Sequence, residues 1–191
     1  MHLEKKGIRI LGIAESFMPS DILSVLAGIV MRRDLIIDGM IFGNTTVRGN
    51  DATEAIISMF KKINRNDINC ILSRGTIISV LNIIDGKELY DTLKVPVVIV
   101  SELEKKGLKE SSLHKFENGL TKVRLYSKVK ERTDVKLKTG KYVQLRSWGM
   151  SIREASLLVN SVTLQGSKPE PIRIARLAAR AFRSNLYKRE S

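Results

Sequence analysis

Arg173, Arg176, Arg180 and Arg183 recur at i, i+3, i+7 and i+10, a spacing that gathers four guanidiniums into one stripe if the segment is helical. A guanidinium is permanently charged and carries a planar fork of N–H donors that fits two phosphate oxygens at once, so such a row suits a nucleic-acid backbone. It suits equally a solvated helix face whose arginines pair with surface carboxylates. Carboxylates supply the second candidate chemistry. Glu15, Asp38, Asp51, Glu54 and Asp85 fall near expected strand or helix ends. Two or three of them, if convergent, could hold Mg²⁺ through oxygen ligands and activate a water. Plainer roles are open to each: Asp51 as a helix cap, Glu54 as a first-turn acid, Asp85 as a helix start, and Asp38, beside Gly39, on a solvated strand face.

Other chemistries find little support. Arg74-Gly75-Thr76 follows an expected strand, where open α/β sheets place ligands, but Gly75 stands alone and no glycine-rich phosphate loop is present. Ser73, Thr76 and Ser79 have no evident base. His2 lies at a terminus and His114 in a Lys-rich segment, both best taken as surface histidines. Cys70 is the only cysteine, which excludes an intramolecular disulfide and a thiolate zinc site. Trp148 and Tyr142 could stack on bases, although core packing explains them more simply.

The elements that must position these groups follow from periodicity. Residues 8–17 form a nearly unbroken apolar run that suits a central strand buried on both faces. Its far end would deliver Glu15 and Ser16 to a sheet edge. The runs 22–33 and 35–42, joined through Arg32-Arg33-Asp34, complete an antiparallel meander. Ala55, Ile56, Met59, Phe60 and Ile63 recur at helical spacing, with Asn50 or Asp51 as cap. The next strand, 68–72, should then lie parallel to one of the first three. An irregular stretch at 74–84 leads to a helix from Asp85 through Leu93 and a buried strand at 95–100. Leu120, Val123 and Val129 suggest a basic amphipathic helix, and 135–137 with 141–145 a short hairpin. Ser151 and Glu154 form a capping box for a helix through about Val162. The last helix, 172–187, would pack Ile174, Leu177, Ala178, Ala181 and Phe182 on the sheet.

Composition sets the frame. The 191 residues are 43% hydrophobic, enough to bury the core of one domain. No apolar run is long enough to span a bilayer and no secretory leader is evident, so a cytoplasmic protein without membrane association is expected. Residues 1–103 carry 12 Lys or Arg against 12 Asp or Glu, so the net charge of +13 arises wholly from residues 104–191. That asymmetry fits a surface facing a polyanion, with a solvated, thermally adapted surface as the alternative.

Several stretches together resemble a mainly archaeal family of unknown function, uncharacterised protein family 0215, related to endonuclease V. They are Gly12-Ile13-Ala14-Glu15, Asp51-Ala52-Thr53-Glu54-Ala55, Asn82-Ile83-Ile84-Asp85, Val95-Pro96-Val97-Val98 and Pro169-Glu170-Pro171-Ile172-Arg173-Ile174-Ala175. The resemblance implies a ribonuclease-H-like α/β fold, a mixed five-stranded sheet of three antiparallel and two parallel strands flanked by helices. It also implies carboxylates gathered around a divalent metal, and here the chain departs from the family. Where the family has Gly-Ile-Asp-Asp, this chain has Ala14 and Glu15; where the family has Asp-Gly after the fourth strand, it has Arg74-Gly75. The family's Asp-Gly-x-Asp-Ala-Thr becomes Arg48-Gly49-Asn50-Asp51-Ala52-Thr53, and its Gly-Phe-Asn before Asp85 is Val80-Leu81-Asn82.

The expectation is therefore one domain over 1–191, with a basic part from about residue 104, that binds DNA or RNA through a degenerate metal site and does not cleave efficiently. Arg48, Arg74, Arg173, Arg176, Arg180 and Arg183 are the candidate nucleic-acid contacts. No cofactor or metal is expected. Two alternatives stay open. One is a Mg²⁺-dependent endonuclease on damaged or deaminated nucleic acid, with Glu15, Asp51 and Asp85 as catalytic acids; the other is a non-catalytic protein-interaction module. A homo-oligomer is compatible with all three.

Overall fold

The computed structural model describes residues 7–102 and 131–187. β1 (Arg9–Ser16) buries Ile10 through Ala14 without a break, and its ends, Arg9 and Glu15-Ser16, emerge toward solvent. It pairs antiparallel with β2 (Leu23–Arg32), which pairs antiparallel with β3 (Ile37–Thr46), giving the expected meander. α1 (Ala52–Ile63) carries the chain over the sheet to β4 (Ile68–Arg74), which lies parallel to β1. The stretch expected to be irregular contains a two-stranded ladder, β5 (Ile77–Ile78) with β6 (Asn82–Ile83). α2 (Gly86–Leu93) then leads to β7 (Val97–Glu102), parallel to β4.

The sheet has seven strands, not five. β8 (Thr133–Lys136) and β9 (Tyr142–Trp148) form the expected hairpin, but β9 also pairs antiparallel with β7, so the order is β3-β2-β1-β4-β7-β9-β8. The physical reason is the edge of β7. Its Val97–Ser101 side chains are buried, and β9 satisfies the backbone groups that an edge would leave unpaired while adding the fully buried Val143 and Leu145. Helices α3 (Ile152–Ser161) and α4 (Glu170–Tyr187) complete the chain. The Ser151–Glu154 capping box is present as expected.

Helices cover both faces. α1 and α2 pack on one through Ile56, Met59 and Leu89; α3 and α4 cover the other through Leu158, Val159, Ile172 and Ala175. α4 packs Ile174 and Ala178 on the core as expected, but Ala181 is exposed and the centre of its buried face lies elsewhere. Ile172, Ala175 and Ala179 are buried, whereas Leu177 is half exposed and Phe182 instead stacks on Phe42 at 4.4 Å between ring centroids. Small residues on the buried face let the helix lie close to the sheet, and Gly12 sets how close. A Cβ at Gly12 would sit 2.5 Å from Pro171 Cβ and 2.6 Å from the Pro171 carbonyl oxygen. Because backbone must move to relieve that clash, Gly12→Ala is expected to destabilise the fold by about 1–3 kcal/mol. Urea denaturation should show a lower midpoint with unchanged slope.

Among the described residues no helix is long and apolar enough to cross a membrane. The basic helix expected near Leu120–Val129, like His2 and His114, lies outside the described residues.

Candidate functional site

The parallel strands β1, β4 and β7 all end at one edge of the sheet, and α4 crosses above that edge. Between them lies a cleft of about 560 Å³. Its floor is apolar, with Ile13, Ala14, Leu26, Ile78 and Ile84, and its rim carries four guanidiniums (Arg74, Arg132, Arg176 and Arg180) against two carboxylates, Glu15 and Glu102. A rim with this balance favours an anion, and the low-dielectric floor strengthens each charge–charge contact.

The arginine stripe divides in two. Arg173 is held by the buried Glu170, with its Nε 2.8 Å from Oε2. Arg183 is held by Asp21, at 2.7 Å and 3.1 Å; that guanidinium keeps the Asp21 carboxyl below its ordinary range. The two middle arginines, Arg176 and Arg180, are exposed, line the cleft, and have no hydrogen-bond or ion-pair partner among the described residues. Arg74 joins them from the end of β4 and contacts Glu102 at 3.1 Å. Arg48 is placed elsewhere. It is exposed, does not line the cleft, and donates its backbone N–H to the Ser79 carbonyl at 2.7 Å.

The acids do not converge. Glu15 alone of the three candidate catalytic acids lines the cleft, and its oxygens are engaged. The Ser79 N–H donates to Oε1 and Oε2 at 3.0 and 2.8 Å, Ser24 Oγ donates at 3.1 Å, and Ser79 Oγ donates as well. The reason lies in the turn between β5 and β6. Ser79, Val80 and Leu81 are three successive non-glycine residues at φ 45°, 57° and 67°, a left-handed run that costs on the order of 1–2 kcal/mol per residue. Glu15 and the Arg48 N–H hold its first residue from both sides, and burial of Leu81 anchors its last. Glu15 is a clamp on this turn.

Asp51 stands behind the turn. It accepts from Thr45 Oγ1 at 2.7 Å, Asn82 Nδ2 at 2.7 Å, Thr46 Oγ1 at 2.9 Å and the Thr46 N–H at 3.0 Å. Burial disfavours its charge, but these donors together outweigh that cost and hold its pKa below the ordinary value. It occupies the cap position of α1 yet makes no side-chain cap bond, because its oxygens turn back toward β3. Asp85 does cap α2, accepting from the N–H groups of Lys87 and Glu88 at 2.9 and 3.0 Å. Asp38 sits at the opposite edge of the sheet, paired with Arg9 and Arg65. Burial raises the Cys70 thiol pKa, leaving it protonated and inert.

This donor set does not fit a divalent cation. Ala14 offers no ligand, Glu15 is committed to Ser79 and Ser24, Glu102 faces Arg74 and Lys168, and Arg74 puts positive charge at the strand end. Among the described residues no group of three His, Cys, Asp or Glu side chains could hold a metal ion.

Comparison with known proteins shows the family and the fold. The endonuclease dU family matches residues 6–183. The chain belongs to that family. A UPF0215 protein of Pyrobaculum calidifontis is 33% identical over 180 residues, covering 94% of this chain and 99% of the relative. The crystal structure of a protein of unknown function from Archaeoglobus fulgidus superposes with a TM-score of 0.78 at 27% identity, covering 92% and 98% of the two chains. Ciona intestinalis endonuclease V, crystallised with a 24mer DNA containing an inosine, superposes with a TM-score of 0.61 at 15% identity, covering 95% and 87%. The fold is that of the ribonuclease-H-like endonuclease V proteins, with β9 and β8 extending the five strands that the resemblance implies. Within this endonuclease dU framework, two parts of the motif set meet in space, since Gly12 of the first strand stretch packs against Pro171 of the Pro-Glu-Pro segment.

The sequence pattern did not single out Ser24, Glu102 or Arg132, and it showed Ser79 only as a hydroxyl without a base. Glu102 ends an apolar strand parallel to the one that ends in Arg74, a signal that was available. Ser79's role depends on a left-handed backbone that no sequence pattern announces.

Proposed function

We propose that this endonuclease dU family member binds nucleic acid through the cleft, without a divalent cation and without efficient cleavage. The observation that carries the proposal is the pair Arg176 and Arg180, exposed on the cleft rim beside Arg74 and unpaired among the described residues, while their neighbours on the same stripe are consumed by Glu170 and Asp21. Arg176 and Arg180 would take phosphate oxygens through bidentate N–H donation, and Arg74 would exchange Glu102 for a phosphate. The apolar floor leaves room for sugar or base. The DNA bound by the Ciona structural neighbour supports nucleic acid as the ligand class. Weak cleavage follows from the acids: Glu15 is spent on the Ser79 turn, and Asp51 and Asp85 do not line the cleft.

Fluorescence anisotropy with a labelled inosine-containing oligonucleotide, titrated across salt with and without EDTA, tests this. Affinity should fall steeply with salt, with a slope of roughly −0.7 to −0.9 per phosphate contact, and should be indifferent to EDTA. The same oligonucleotide should stay intact with Mg²⁺ or Mn²⁺. A flat salt dependence overturns the binding reading, and accumulation of a nicked product overturns the non-cleaving one.

A further inference from the structure

The cleft is one end of a longer basic edge. β7 and β9 pair Glu102 with Val143, and β9 and β8 pair Tyr142 with Lys136, so the turn from Leu137 to Lys141 projects from the edge at which β1, β4 and β7 terminate. Four strand spacings of about 4.8 Å separate β1 from β8, so the edge runs for ~19 Å. The hairpin tip is fixed on the α3 and α4 side of the sheet. Thr139 Oγ1 donates to the Gly166 carbonyl at 2.6 Å, and the Lys138 N–H donates to Asn160 Oδ1 at 2.7 Å. Leu137, buried against the same core as Ile172, anchors it from below. Lys168 lies between tip and cleft, its Nζ 3.9 Å from the Glu102 that also pairs with Arg74.

Lys138 and Lys141 are exposed at the tip, and neither side chain has a partner among the described residues. Asn160 accepts from the Lys138 N–H, Gly166 from the intervening Thr139 hydroxyl, and the Lys141 carbonyl from the Leu137 N–H at 2.8 Å, so the backbone that carries both lysines is already ordered and only their side chains lose freedom on binding. A solvated charge run needs no such support. The charge balance along the edge also matters: the two carboxylates of the cleft rim are outnumbered by its four guanidiniums and by Lys168, Lys138 and Lys141, which leaves net positive charge from Arg180 to Lys141.

We infer that the nucleic-acid site continues past the cleft along this edge, with Lys168, Lys138 and Lys141 forming a second contact zone for the same strand. This rests on the cleft reading above and adds the direction in which a bound strand runs and the minimum length that fills the site. A strand seated only on Arg74, Arg176 and Arg180 would not reach the tip; one that spans ~19 Å would.

The test compares labelled single-stranded oligothymidylates of about 2 and about 16 nucleotides by anisotropy, using the full chain. In Lys138→Gln/Lys141→Gln, the long oligonucleotide should bind several-fold more weakly and its salt slope should shrink by ~1.4, two contacts at ~0.7 each. The short one should be unaffected. Lys168→Gln, a second and independent surface change, should likewise weaken only the long probe. Arg176→Ala/Arg180→Ala should weaken both lengths. If the lysine variants leave the long probe unchanged, or weaken both probes equally, the extended track is overturned while the cleft reading stands. If the unaltered protein binds neither length, it is the cleft reading that fails. Unchanged melting temperatures of the lysine variants establish that the fold is intact.

Discussion

Replacing Arg176 and Arg180 together by alanine is expected to weaken oligonucleotide binding by about 100-fold at low salt. Each side chain stands on the cleft rim with no partner among the described residues. Neither therefore has to give up an internal ion pair when a phosphate arrives. A hydrogen-bonded contact to a charged group is worth roughly 1.5 kcal/mol, and two such contacts correspond to about two orders of magnitude in affinity. The salt slope should fall by ~1.4 to 1.8. Arg173→Ala/Arg183→Ala, on the same helix and with the same change in charge, provides the contrast. That pair removes ion pairs to Glu170 and Asp21, so its main effect should be on stability, with a much smaller loss of affinity. Equal losses from the two double variants would mean that only net charge matters, and the assignment of Arg176 and Arg180 would fail.

The largest effect on stability is expected at Asp51. Asp51→Ala strips the acceptor from the Thr46 N–H and hydroxyl and from the Thr45 hydroxyl, and leaves Asn82 Nδ2 with only Thr45 Oγ1 and the Thr46 carbonyl; Asn82 and Thr45 are buried. Leaving buried donors unsatisfied costs about 1–3 kcal/mol each, so a loss of at least ~3 kcal/mol is expected. The loss should depend on pH. Burial opposes the charge, but the four donors win and depress the folded pKa. The ionised carboxylate therefore stabilises the fold above its unfolded pKa of about 3.9, and that contribution disappears as the pH falls through the lower folded value. Urea denaturation at neutral pH should separate the native protein and the variant widely, and the gap should narrow below pH ~4. A gap that stays constant into acid would show that Asp51 acts by packing, without its charge.

Much of the architecture was legible because the signals were periodic. Residues 8–17 read as a doubly buried strand and form one, the meander and the parallel β4 follow from run lengths and the intervening helix, and Ser151 with Glu154 announced its cap. The stripe on α4 was legible as a stripe. Which of its arginines remain available was not, because Asp21, which holds Arg183, lies 162 residues away in the chain. Ala14 and Arg74, at positions where the resemblance implies acids, were visible in the sequence, whereas the separation of Arg48 from Arg74 depends on where the β3–α1 connection leaves the sheet. Asp51 looked like a cap and occupies the cap position, but the hydroxyls of Thr45 and Thr46 compete successfully for its oxygens. The seventh and sixth strands were read as a free hairpin, since nothing local to residues 133–148 states that β7 needs a neighbour.

The left-handed turn at residues 79–81 makes distant positions interdependent in evolution. Glu15 satisfies a turn that is costly in isolation, so residues 15 and 79 cannot drift independently: a change at one alters which residues are tolerated at the other. A lineage that acquired acids at positions 14 and 74 would still find Glu15 committed to Ser79, and withdrawing it would release the strained backbone beneath the cleft. Building an acid cluster at this strand end is thus barred by epistasis as well as by the missing ligands, and the order of substitutions matters. Relaxing the turn at position 79 must come before any new duty for Glu15.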